Sequence, residues 1–465
     1  MCSPKEGLSR DKWLSRLQEL SKPYHDYGSF LPEQLGLLEE IYEKLRKSKR
    51  PVWVFSAPPA SGKTHVMCLL ARTLAEAHYS TAIVVPNNYL KEEFEEGRLE
   101  VNGDLPKVDL LSLSGYLRTD KPYDFVLVDE AHNLKSFLEL DINIVKSLDM
   151  TERDEPYGVL SSRYLPSEKE FAAQQLSFSS TTDILNMLKR IPKFKRQLVS
   201  VLREPTSWLC FIYIWKNLNQ CSLKFVHASG LCKLKLPKKH LLLFTATPLS
   251  DEELDFYCGI PSDAIERALD VKPASAGTEK QRVCMFIKEK FSFENKIAFV
   301  KELVRESNAR TLVLFNNVAN CQKAFEILSN DISNIFVIPS YARDRPAILK
   351  SFLGVDCGVL LTSSSVFWEG ITIKKLRLLI IVDPPFPRPR LIELMKRRAT
   401  DGRMDMSRRL LQGVGRVGRK RGEFGVVITL FDPSIANKEP VRREFRKMQA
   451  KKCSGMLHRL IEQPG

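Results

Sequence analysis

The residues from Val52 to His65 leave this chain few ways to fold. Val52-Trp53-Val54-Phe55-Ser56 is a short apolar run rich in β-formers, and Ala57-Pro58-Pro59-Ala60-Ser61-Gly62 is a turn of small residues. Lys63-Thr64-His65 then opens a stretch in which Val66, Leu69, Leu70 and Leu74 recur at helical spacing. Strand, tight turn and helix in this order make a phosphate-binding loop. Backbone N–H groups converge on phosphate oxygens at a helix N-terminus, a lysine reaches the β and γ phosphates, and a hydroxyl ligates Mg²⁺. Gly62, Lys63 and Thr64 fill the last three places of G-x-x-x-x-G-K-[ST], whereas Ala57 occupies the first place, where the pattern has Gly. The loop from Ala57 to Thr64 is therefore expected to bind ATP, with Thr64 on Mg²⁺ and Lys63 in a catalytic role.

Strands that follow at the right distance supply the rest of a phosphoryl-transfer site. Asp124-Phe125-Val126-Leu127-Val128 runs into Asp129-Glu130-Ala131-His132-Asn133-Leu134, an apolar strand ending in two carboxylates. Such a placement lets Asp129 hold Mg²⁺ while Glu130 polarises the attacking water. His132, on the same segment, is expected to couple that chemistry to the rest of the chain. Thr81-Ala82-Ile83-Val84-Val85 is a second buried-strand pattern, and Leu241-Leu242-Leu243-Phe244 a third, ending in Thr245-Ala246-Thr247. Small hydroxyl residues at that strand end are expected to relay the state of the γ-phosphate. Upstream, apolar residues at helical spacing from Leu8 to Leu20 and from Leu31 to Leu45 predict two surface helices, the second carrying Gln34, a candidate hydrogen-bond partner for adenine.

The second half repeats the α/β rhythm without a phosphate loop. Residues 311–315, 335–338, 358–362, 378–382 and 425–430 read as buried strands, so a second parallel sheet is expected. Between them stand Phe367-Trp368-Glu369-Gly370-Ile371-Thr372 and Gln412-Gly413-Val414-Gly415-Arg416-Val417-Gly418-Arg419. Helical spacing would put Arg416 and Arg419 on one face, from which guanidinium groups can reach transition-state charge across a cleft. Gln412, Arg416 and Arg419 are the expected catalytic residues of this half, and Glu369 and Gly370 its expected coupling residues.

A chain of 465 residues with 43% hydrophobic and 27% charged side chains is too long for one ordinary core and too apolar for disorder. The loosened pattern between Asp251 and Gln281 divides it: residues 1–270 as one ATP-binding domain, interrupted by a mainly helical insertion at 135–238, and residues 271–465 as the other. In the insertion, Ser222–Val226 and Leu231–Leu236 alternate around Ser229-Gly230 and predict a hairpin. The balance of 71 Lys+Arg against 56 Asp+Glu, a formal charge of +15, favours a polyanionic partner, and nucleic acid leads. The ten cysteines are dispersed with no C-x-x-C pair, as expected of reduced and mostly buried thiols. The N-terminus lacks the apolar core of a signal peptide and the longest apolar run, Trp208 to Trp215, is far short of a membrane span; an intracellular chain without membrane attachment is expected.

Taken in order, A-P-P-A-S-G-K-T, D-E-A-H, T-A-T and Q-G-V-G-R-V-G-R resemble superfamily 2 helicases. The Asn-Leu after D-E-A-H, F-W-E-G-I ahead of Pro384-Pro385-Phe386-Pro387, and the long interval before T-A-T resemble the XPD/DinG family within it. The resemblance covers about 30 to 435 and implies two tandem RecA-like domains, an arch-like insertion, and 5′ to 3′ movement on single-stranded or forked nucleic acid, DNA favoured over RNA. The insertion is also a candidate docking site for protein partners. Two departures stand out: Thr372 occupies a place where the family has Asp, and Cys68 is the lone cysteine between the phosphate loop and D-E-A-H, where the family keeps the four ligands of an iron–sulfur cluster. Other readings are an RNA helicase, an ATP-gated nucleic-acid-binding subunit that separates no strands, and, less favoured, a phosphate-loop kinase. With one cysteine in that interval no cluster is expected: the purified protein should be colourless, and an iron assay finding stoichiometric metal would refute this.

Overall fold

The computed structural model describes residues 10–21, 32–57, 62–95, 107–135, 139–145, 156–217, 219–227, 234–267, 282–287, 289–338, 345–363, 365–368, 373, 375–385, 402–418, 424–433, 445–450, 452–453 and 456–457. Two parallel sheets form the frame, as expected of two RecA-like domains. The first is built from β1 (Val52–Ser56), β2 (Thr81–Val85), β3 (Val108–Ser112), β4 (Phe125–Val128), β9 (His240–Thr245) and β10 (Ile265–Arg267) in the order β10-β1-β9-β4-β2-β3. Between β4 and β9 the chain leaves this sheet and makes β5 (Glu139–Val145), β6 (Phe171–Gln175), β7 (Trp208–Trp215) and β8 (Gln220–His227). The second parallel sheet contains β11 (Arg282–Ile287), β12 (Thr311–Leu314), β13 (Ile335–Ile338), β14 (Val359–Thr362), β15 (Leu378–Ile381), β16 (Gly425–Thr429) and β17 (Phe445–Met448), ordered β13-β14-β12-β15-β16-β11-β17.

Continuous apolar strands become the centres of these sheets because helices cover both faces and leave no solvated side for polar residues. β2, β4 and β9 are buried along their whole length, as are β12, β14, β15 and β16. On one face of the first sheet Trp53, Phe55, Leu242 and Phe244 meet Val66, Met67, Leu69 and Leu70 of the Lys63–Glu76 helix. The helices Arg10–Ser21 and Pro32–Lys47 join the same core through Trp13, Leu17, Leu37, Leu38, Ile41 and Tyr42. They are therefore more than the surface helices the pattern suggested. These six side chains are almost wholly buried, and burying one such side chain stabilises by roughly 1.5–3 kcal/mol.

The interval expected to be mainly helical also contains a four-stranded antiparallel sheet, β5-β8-β7-β6. Four short helices, Pro156–Tyr164, Phe178–Leu188, Pro192–Gln197 and Val199–Arg203, accompany it. The apolar run Trp208–Trp215 is the reason. It is a strand whose even-numbered residues Trp208, Cys210, Ile212 and Ile214 pack with Ile184, Leu188, Leu198 and Val201 of the helices. Its odd-numbered Phe211 and Tyr213 form a small second cluster with Val226. The expected hairpin lies partly outside the described residues, at 228–233; β8, its first arm, pairs antiparallel with β7, and residues 234–236 are in no strand.

Eight cysteines are described and no disulfide joins them; Cys357 is exposed and the other seven are buried. Burial pushes the thiols of Cys221, Cys321 and Cys453 up to about 12, and that of Cys210 higher still, because a thiolate loses its hydration there. A thiol reagent at neutral pH should therefore modify Cys357 rapidly and the other seven only after denaturation. Fast labelling of Cys210 or Cys221 in the native protein would contradict the packing of the inserted sheet.

Candidate nucleotide site and domain interface

Parallel pairing brings three chemically active strand ends to one edge of the first sheet. Ser56 is in register with Thr245, Val128 with Leu243, and the Ala57 amide continues the ladder to the Thr245 carbonyl at 3.2 Å. The residues that follow β1, β4 and β9 consequently converge, and carboxyl ends of parallel strands are where ligands sit in open α/β sheets. Gly62 adopts the left-handed conformation (φ 78°) and starts the Lys63–Glu76 helix. Lys63 is buried and its Nζ donates to the Ala57 carbonyl at 2.9 Å, drawing the two ends of the loop together. The four residues between them that complete the expected loop, Pro58, Pro59, Ala60 and Ser61, lie outside the described residues.

Thr64 Oγ1 donates to Asp129 Oδ2 at 3.1 Å, so the hydroxyl and carboxylate expected to share Mg²⁺ already face each other. Oxygen donors of this kind suit a hard divalent cation, and the pairing fits the group these residues would hold. The other Asp129 oxygen accepts the Glu130 amide at 3.0 Å. Glu130 itself has φ 47°, a backbone state that costs a non-glycine residue about 1–2 kcal/mol and that recurs at functional sites. This bend, invisible in the letters D-E-A-H, puts Glu130 Oε2 3.5 Å from His132 Nδ1. No hydrogen-bond partner for that buried oxygen is present among the described residues.

Gln34 reaches the loop from the Pro32–Lys47 helix. It is buried, and a Cβ built on Gly62 would stand 2.2 Å from Gln34 Nε2, so this side chain lies directly on the loop glycine. Gln34 thereby closes one wall of the site.

His132 is the centre of a buried polar cluster joining the two halves of the chain. Gln412 Nε2 and Asn133 Nδ2 donate to His132 Nε2 at 2.9 and 3.0 Å. With Nε2 accepting, the ring carries its proton on Nδ1, which faces Thr245 Oγ1 at 3.3 Å; this tautomer is assigned from the network. Gln412 Nε2 also reaches Thr247 Oγ1 at 3.3 Å, and Thr245 Oγ1 accepts the Thr247 amide at 3.1 Å. Thus His132, Thr245 and Thr247 meet Gln412 from the second half, while Ala246 is the spacer that lets both threonines face the cluster.

Arg416 lies past the end of the Gly402–Val414 helix, and Arg419, expected on the same helical face, lies outside the described residues. Gly415 and Gly418, the latter at φ 62°, turn the chain there. The buried Arg416 guanidinium donates to the Trp368 carbonyl through Nε (3.3 Å) and Nη2 (3.2 Å). Arg419, Glu369 and Gly370 lie outside the described residues. Sequence reasoning missed Arg408, one turn before Gln412, whose guanidinium grips Glu253 of the first half at 2.9 and 2.6 Å. Its signal was faint, a lone arginine among many in a basic stretch.

With this geometry in place, a family model described as a helicase C-terminal domain matches residues 300–451. No curated protein matches the chain. Two solved structures are similar in fold along nearly the whole chain. Dbp5 of S. cerevisiae, bound to RNA and ADP BeF3, is 12% identical with a TM-score of 0.57, covering 98% of each chain. The DEAD-box helicase Mss116, bound to ssRNA and UDP-BeF, is 13% identical with a TM-score of 0.54, covering 99% of this chain and 84% of that one. The fold is therefore an α/β one with two RecA-like parallel-sheet domains, similar to that of these two helicase structures.

Gly62→Ala should lower stability by about 1–3 kcal/mol, because alanine resists the left-handed backbone and its methyl group collides with Gln34. Adding Gln34→Ala should recover the collision and leave the backbone cost. Denaturant midpoints of the two variants measure this, and an unchanged midpoint in Gly62→Ala would be inconsistent with the loop geometry.

Proposed function

We propose that the chain is an ATP-driven motor on single strands of nucleic acid, of the XPD/DinG type, with DNA as the favoured strand. The observation that carries the proposal is the buried contact of Gln412 with His132 and Thr247, which connects the second sheet's helix to strand ends beside the phosphate loop. A fold with two RecA-like halves has a use for such a contact when ATP sits between them. The motif order supports the XPD/DinG reading and, through it, DNA; the RNA in both neighbouring complexes supports the RNA alternative. In this reading the domains are residues 1–270, with 135–238 inserted, and 271–465, and movement is 5′ to 3′.

Each residue then has a role set by its surroundings. Lys63 releases the Ala57 carbonyl to meet the β and γ phosphates, and Gly62 lets backbone amides approach them. Thr64 and Asp129 hold Mg²⁺, which when bound neutralises developing phosphate charge. Glu130 orients the attacking water and takes its proton, with His132 beside it as the link to Gln412. Arg416 and Arg419 supply positive charge to the transition state, and Gln34 contacts adenine. Thr245, Ala246 and Thr247 report hydrolysis to the second domain, where Glu369 and Gly370 pass it to the strand.

Lys63→Ala, Glu130→Gln and Arg416→Ala should each lower ATP turnover by at least ~100-fold, since each removes a charge or base from the site. Turnover should rise on addition of single strands and fall with salt, because a basic groove releases counterions when it binds phosphates. Assays on matched DNA and RNA strands decide the substrate. Near-normal turnover in Glu130→Gln would reject that residue as the base, and stimulation by neither polymer would reject the motor.

A further inference from the structure

We propose that Arg408 is a positioning residue for ATP turnover, acting as a latch that fixes the second domain on the first through Glu253. The inference rests on the motor reading for its consequence, but its geometry stands alone. Arg408 Nη1 meets Glu253 Oε1 at 2.9 Å and Nη2 meets Oε2 at 2.6 Å, the two-pronged arrangement that gives an arginine–carboxylate pair direction as well as strength. Both side chains are largely shielded, 11% and 18% exposed, so the pair differs from a solvated surface bridge worth almost nothing.

Glu253 does two things at once. It is the third residue of the Asp251–Cys258 helix and forms a capping box with Ser250: its amide donates to Ser250 Oγ at 3.2 Å, and Glu253 Oε2 accepts the Ser250 amide at 2.9 Å. A carboxylate fixed in this way by its own helix is a rigid socket for a guanidinium. Arg408 Nη2 also donates to the Pro248 carbonyl at 3.2 Å, the end of the segment whose Thr245 and Thr247 meet His132 and Gln412. One arginine therefore touches both the cap and the strand-end segment of the first domain.

Arg408 and Gln412 are four residues apart on one helix, hence on one face and about 6 Å apart along the axis. The Gly402–Val414 helix thus rests on the first domain at two points. Two contacts fix the angle of a helix, where one would leave it free to pivot. That angle sets where Gln412 and, just beyond the helix end, Arg416 are presented. A misplacement of about 1 Å can cost a reaction on the order of 100-fold, so a latch remote from the phosphates can govern their hydrolysis.

Three variants test the latch in the full chain: Arg408→Ala, Glu253→Gln, which keeps an acceptor for the cap while removing the charge, and the two combined. With single strands and ATP, each should lower kcat about 10-fold, within the range expected for misplacement, with little change in KM for ATP or in melting temperature. The double variant should be no worse than either single, since both remove one contact. Fluorescence energy transfer between dyes on the two domains should show a smaller closed population in all three with a non-hydrolysable ATP analogue. Unchanged kcat, additive losses, or losses that track a fall in melting temperature would each overturn the latch. Should the intact chain hydrolyse no ATP, the motor reading fails while the energy-transfer cycle still decides: equal closure in wild type and variants rejects the latch.

Discussion

A parallel strand buried on both faces has room for polar chemistry only at its ends, and that constraint governs this protein. β1, β4 and β9 lie side by side, apolar along their lengths, so Ala57, Asp129 and Thr245–Thr247 are delivered to one edge by backbone pairing alone. Short-range geometry then refines what the sheet brings together. The Thr64–Asp129 hydrogen bond spans 65 residues of sequence, yet it follows from the Lys63–Glu76 helix crossing from the end of β1 to pack on β9, β4 and β2. Among the described residues Glu130 is the positive-φ side chain that stands at the candidate site, where its left-handed turn aims the carboxylate toward His132.

The interface between the halves is polar where most buried interfaces are apolar. Leaving a buried donor or acceptor unpaired costs about 1–3 kcal/mol, so each separation of Gln412 from His132 must be offset by water or by a new partner. A seam held by polar contacts can exchange them for water on opening, whereas an apolar seam exposes surface at a cost that grows with its area. The two halves contribute unequal chemistry to this seam: the first brings rigid strand ends and a capped helix, the second a single helix with Arg408 and Gln412 on one face.

Much of this was legible in the letters because periodicity and order of motifs are local properties. The long β-branched runs at 81–85, 311–314 and 378–381 could be read as buried strands since nothing else tolerates such composition. Short and edge strands were not: β10 is three residues, Ile-Glu-Arg, and β17 is Phe-Arg-Lys-Met, sequences whose strand character comes from a neighbour's ladder. The inserted sheet was missed for a related reason. Trp208–Trp215 is apolar on both sides, since one side packs on helices and the other on Val226, so it lacks the alternation that marks a half-buried strand. At the candidate site, motif order singled out Thr64 with Asp129 and His132 with Gln412, pairs that the structure brings into contact, whereas the Gln34–Gly62 approach and the Arg408–Glu253 pair depend on distances between segments that no single-sequence pattern records.

Trp368 shows how the second half can transmit a change between its own parts. Its ring lies under Gly413, where an added Cβ would stand 3.3 Å from Cε3, so a larger residue there would push on the ring by a few tenths of an ångström. Its carbonyl accepts the guanidinium of Arg416. The side chain of one buried residue thus supports the helix, and its backbone holds the arginine beyond the helix end. Any movement of the short Ser365–Trp368 helix is felt at both places at once, because a close-packed interior shifts as a unit. The helix carrying Gln412 and the Arg416 guanidinium beyond its end therefore share Trp368 as a common support, one through its ring and the other through its carbonyl.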